Sequence, residues 1–134
     1  MLNTTKRGWA MALGAVCMML AGAPAHAQAG AACHRGGTVH ETNACAVQDF
    51  QAADTTIAVL YGDVMRALSA HERPQLRQEH AAWQRGRTAH CKQATRVTEQ
   101  QADGPRLYHE CLTRATQERR AGLLRWLSTD TPAR

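Results

Sequence analysis

Trp83-Gln84-Arg85-Gly86-Arg87-Thr88-Ala89-His90-Cys91 sets a tryptophan, an arginine and a cysteine four residues apart. Side chains at that spacing share one side of an α-helix. Leu76 and His80 carry the same row toward the N-terminus. The row is therefore a helical face, part apolar and part polar. Such a face either packs inside a fold or grips a partner. The packed reading needs a carboxylate, because an unpaired buried arginine is costly. Asp54 is the expected partner, at the height that faces Arg87 if two helices fold back on each other. We read the row as architecture: Trp83 in the core, Arg87 paired with Asp54, and Cys91 in a disulfide.

The neighbouring segments follow the same helical period. Thr38-Val39-His40-Glu41 has the form of a capping box, in which the threonine side chain and the glutamate side chain each serve the other's backbone. Beyond it, Phe50, Ala53, Ile57, Leu60, Val64 and Ala67 recur at intervals of three and four. That pattern predicts an amphipathic helix over roughly 39–70. His71-Glu72-Arg73-Pro74 breaks it. Proline is tolerated in a first helical turn, so a second helix is expected over 74–94. Asp103-Gly104 signals a turn, and Pro105 opens a third helix running to about Leu127. No stretch alternates with period two for long enough to form a strand. The expected fold is all-α, a small antiparallel three-helix bundle.

The chain has 134 residues and a net charge of +5. Lys6 and Arg7 precede a short apolar run from Ala10 to Ala23, and Pro24-Ala25-His26-Ala27 supplies small residues before a cut after Ala27. This is the pattern of a secretory signal peptide over 1–27, too short to span a bilayer comfortably. A periplasmic or secreted location follows, with no stable membrane anchor after cleavage. Residues 28–37 have the composition of a flexible segment, 38–127 form the helical domain, and 128–134 read as a frayed tail. The leader holds two bases and no acid, so part of the basicity belongs to targeting. The remaining excess is small, the basic residues are interleaved with acids, and aromatics are few. No nucleic-acid partner is expected.

Cys33, Cys45, Cys91 and Cys111 lie beyond the leader. An even number of cysteines in an exported chain reads as a disulfide framework. If the second and third helices turn back near residue 101, Cys91 lies opposite Cys111, and Cys33 would then pair with Cys45. Four cysteines allow three pairings, and the sequence leaves the others open. Each bridge in so small a domain would contribute roughly 2–4 kcal/mol.

Cysteines spaced Cys-x(11)-Cys, Asp54 with Tyr61 seven residues on, the Trp83/Arg87/Cys91 row, Cys111, and the segment Thr116–Leu123 with Arg119 together resemble the lysozyme inhibitor LprI N-terminal domain family, formerly a domain of unknown function. The resemblance covers about residues 33–127. It implies small exported bacterial proteins, helical, with paired cysteines at the four positions above. It also implies that Asp54, Tyr61, Trp83, Arg87 and Arg119 are structural positions, and that the protein inhibits lysozyme. Two places depart from the pattern. Ile57-Ala58 replace the usual Leu-Asn after the aspartate, and His80 stands where a glutamine often precedes the tryptophan.

The expected function is therefore non-catalytic binding to a peptidoglycan muramidase. The alternative is a periplasmic interaction module for another envelope protein or a cell-wall fragment. Side chains that would reach a partner sit in the two turns: His71, Glu72 and Arg73 in the first, Arg96 and Arg106 around the second. An enzyme is not expected. Serine is confined to Ser69 and Ser128 beyond the leader, so no serine triad suggests itself. There is no Cys-x-x-Cys. His34, His40, His71, His80, His90 and His109 include no metal-binding His-Glu-x-x-His. No metal and no cofactor are expected.

Overall fold

The computed structural model describes residues 31–128. The expected leader, 1–27, residues 28–30 and the tail after Ser128 lie outside the described residues. The fold is an all-α three-helix bundle with two disulfides, and no strand occurs among the described residues. Helix α1 spans Val39–Ala67, α2 Arg73–Ala94 and α3 Gly104–Leu124. A 3-10 turn, Arg96–Thr98, follows α2, and a second, Arg125–Leu127, extends α3.

Helix α1 starts on a complete capping box. Glu41 N donates to Thr38 Oγ1 at 3.3 Å, and Thr38 N donates to Glu41 Oε2 at 2.7 Å. Its end comes three residues before the expected 70. Leu68 is already extended, with ψ 153°, and that conformation tucks its side chain into the core. Ser69 then opens a second box of the same form: its amide and hydroxyl donate to Glu72 Oε2 at 3.0 and 2.7 Å. These bonds give Ser69–Glu72 a better alternative than continuing the helix. Helix α2 opens with Arg73-Pro74 in its first turn, where the missing amide costs nothing. Helix α3 opens at Gly104, one residue before the expected proline. A Cβ there would overlap the Thr98 carbonyl oxygen and come within 3.0 Å of that of Glu99, so the tight turn requires glycine.

Sequential helices are antiparallel, which leaves α1 and α3 parallel. Asn43 marks one end of that pair, donating to Ala102 O at 3.0 Å and accepting from Arg106 N at 3.2 Å. Val64 and Leu123 share a core cluster at the other end. These two helices pack closely, whereas α2 stands further from both. Large side chains bridge the wider gap. Ile57, Val64, Leu68, Leu76 and Leu123 form one buried cluster, and Cys91, Cys111 and Leu112 form the other. Cys33–Cys45 fastens the N-terminal segment to α1, and Cys91–Cys111 joins α2 to α3 inside the second cluster. Arg35 also holds that segment, donating to both carboxylate oxygens of Asp49 at 3.0 and 2.8 Å.

Candidate functional site

A layer of charged and aromatic side chains packs against the first apolar cluster. Arg87 projects from α2 with a side chain only 9% exposed. Its Nη1 donates to Asp54 Oδ1 at 2.6 Å and to Thr116 Oγ1 at 2.7 Å. Thr116 in turn donates to the Leu112 carbonyl at 2.6 Å, so one buried hydroxyl links α2 to α3. Arg119 enters from α3, with Nη1 donating to Glu79 Oε1 at 2.7 Å. The other oxygen of Glu79 accepts from Trp126 Nε1 at 2.9 Å.

Trp83 stacks with both guanidinium groups, which lie 4.7 Å (Arg87) and 5.3 Å (Arg119) from its ring centre. Such contacts are favourable by roughly 0.5–2 kcal/mol, most when desolvated. His80 adjoins Trp83 and stacks on Tyr61 at 4.2 Å between ring centres. Burial, and then the charges of Arg119 and Arg87, push the His80 pKa below the usual histidine range. The ring is accordingly neutral at pH 7, and its buried Nδ1 has no hydrogen-bond partner among the described residues. The carboxylates of Asp54 and Glu79 remain nearly half exposed. Each buried cation is thus matched by an anion that keeps part of its hydration, which lowers the desolvation cost of the pair.

Asp54, Tyr61, Trp83, Arg87 and Arg119 all meet in this layer. The side chains of the two turns are placed differently. In the first, His71 is exposed, the Glu72 carboxylate is bonded to Ser69, and Arg73 Nε donates to the carbonyls of Met65 and Leu68, both at 3.0 Å. Arg73 therefore caps the end of α1, and Glu72 shapes the turn. In the second, Arg106 pairs with Glu110 at 2.8 Å and Asp103 at 3.0 Å. Arg96 is exposed and makes no side-chain hydrogen bond or ion pair with the described residues, and its neighbour Val97 is 86% exposed.

Sequence reasoning missed Glu79 as the partner of Arg119 and Trp126. Glu79 lies four residues before Trp83, as Arg87 lies four after it, so an acid on the same face was the available signal. It also missed the Ser69-x-x-Glu72 box, which has the same form as the one recognised at Thr38. Among the described residues no group of three or more His, Cys, Asp or Glu side chains is placed to hold a metal ion. No described helix is long and apolar enough to cross a membrane.

The bundle and its internal layer define a class: a small disulfide-stapled helical domain whose charged residues hold helices together. The family model for lysozyme inhibitor LprI matches residues 31–123, and the chain belongs to that family. No curated protein and no solved structure gives a significant match to the chain.

Proposed function

We propose that the protein is an exported, non-catalytic inhibitor of a peptidoglycan muramidase, and that it acts by inserting the 3-10 turn Arg96–Thr98 into the enzyme's cleft. Membership of the LprI family supports the inhibitor class. The observation that carries the choice of element is the pairing of an unbonded Arg96 with an almost fully exposed Val97 at the tip of the α2–α3 hairpin. Glycosidases of this kind work with two carboxylates in a cleft. A cation beside an apolar contact complements such a cleft. The tip is also braced by the Cys91–Cys111 bridge and by the close approach at Gly104, so little ordering entropy is lost on insertion. Export is supported by the leader-like sequence of 1–27 and by two disulfides in a small domain. The positive net charge gives no long-range steering toward a basic muramidase, so recognition on this reading is local.

The test is lysis of cell walls by C-type, g-type and i-type lysozymes with increasing amounts of the purified, oxidised protein. Dose-dependent inhibition of one type is expected. Arg96→Glu combined with Val97→Asp should abolish it while the melting temperature stays unchanged. Absence of inhibition at micromolar excess with the fold intact would refute the inhibitor reading. Undiminished inhibition by the double variant would refute the choice of turn.

A further inference from the structure

Helices α2 and α3 leave an open groove between them with a volume of about 380 Å³. Gly86 and Gly122 line it and present no side chain. A Cβ at Gly86 would meet no heavy atom within 4 Å, so that wall is bare. Trp83, Arg87 and Arg119 also line the groove, and the two arginines hold unused donors buried beneath its surface. Each spends only Nη1 on its carboxylate. Nε of Arg87, and Nε and Nη2 of Arg119, are buried and have no hydrogen-bond partner among the described residues. Buried donors in folded proteins are nearly always satisfied, by protein, water or ligand.

A second observation points to the same place. The position a Cβ would take on Gly122 lies 3.2 Å from Arg119 Nη1 and 3.4 Å from Arg125 Nη2. Two guanidinium groups therefore flank a residue with no side chain. Arg125 is exposed and makes no ion pair among the described residues. Glu118 also lines the groove, yet it bonds to neither arginine. Arg119 Nη1 is paired with Glu79, which leaves the Arg125 guanidinium beside it without an anion among the described residues.

We propose that this groove binds a carboxylate, held by Arg119 and Arg125 over Gly122. The guanidinium fork suits carboxylate and phosphate alike. Local charge separates them. Asp54, Glu79 and Glu118 offset the three arginines, so the site offers donors without a large positive excess. A monoanion satisfies those donors, whereas a dianionic phosphate adds repulsion. The carboxylate comes either from a small free acid or from an acidic side chain on a protein.

The experiment follows the arginine Nε–H resonances of the purified, oxidised full chain by NMR. The probes are acetate, a short glutamate-containing peptide with both ends blocked, and inorganic phosphate. Saturable shifts at Arg119 and Arg125 are expected with both carboxylates, with phosphate binding no tighter than acetate. Arg125→Ala removes an exposed side chain that the core does not use. It should weaken carboxylate binding about tenfold with an unchanged melting temperature. Peptide binding about tenfold tighter than acetate would identify a protein-borne carboxylate as the source, and equal affinities a small free acid. Shifts that fail to saturate, an unaffected Arg125→Ala variant, or tighter binding of phosphate would each overturn the proposal.

Discussion

Arg87 and Asp54 form one ion pair, but losing one partner is not equivalent to losing the other. Removing Arg87 leaves a carboxylate that is 45% exposed and can rehydrate. Removing Asp54 leaves a guanidinium that is 9% exposed, with Thr116 as its remaining hydrogen-bond partner among the described residues. Arg87→Ala should therefore cost about 2–3 kcal/mol, the worth of charge-assisted hydrogen bonds. Asp54→Ala should cost at least as much, although Asp54 is the more exposed residue. Urea unfolding of both variants decides this, and a smaller loss for Asp54→Ala would contradict the account. His80 supplies a pH prediction. Its folded pKa is depressed by burial and by Arg119 and Arg87, against the smaller opposing influence of Asp54 and Glu79. The unfolded chain then binds the proton more readily, so this residue costs stability as pH falls below its unfolded value of about 6.5. His80→Gln should lose less melting temperature than the parent between pH 7.5 and pH 5. Equal losses would show that His80 does not contribute to the slope.

The turns follow from single residues acting through backbone geometry. Gly104 admits the carbonyls of Thr98 and Glu99 where a Cβ would sit. Gly104→Ala should destabilise the protein by about 1–3 kcal/mol, because the neighbours that must move are backbone. A thermal scan that shows no loss would mean the hairpin relaxes freely. The Ser69 box explains why α1 stops at Ala67. Its signal, Ser-x-x-Glu, is present in the sequence at Ser69–Glu72, beyond the periodic run that ends at Ala67. Periodicity reports which face is buried and is weak at marking ends, where a few local hydrogen bonds decide.

Across the molecule, the disulfides act on different parts of the fold. Cys91–Cys111 closes a separation of 20 residues and lies inside the second core cluster. Cys33–Cys45 closes a separation of 12 and secures a terminal segment that Arg35 and Asp49 also hold. Replacing Cys91 and Cys111 together by serine should cost about 3 kcal/mol or more, and replacing Cys33 and Cys45 should cost less. Comparing the denaturation midpoints of the two double variants tests that order. If the N-terminal bridge proved the more important, the first turn of α1 would carry more of the stability than its packing indicates.

The sequence by itself determined three helices, their faces and the positions of the caps at Thr38 and the two prolines. These are consequences of local periodicity and local hydrogen bonding. It also made part of the charged layer legible, because Trp83, Arg87 and Cys91 repeat every four residues and Arg87 needs an acid at its own height. Tertiary structure decided the rest. The close pairing of parallel α1 and α3 is long-range and leaves no periodic trace. The link from Glu79 to both Arg119 and Trp126 depends on how far α2 stands from its neighbours. So does the groove over Gly86 and Gly122, since a missing side chain marks a cavity only once the opposing helix is in place.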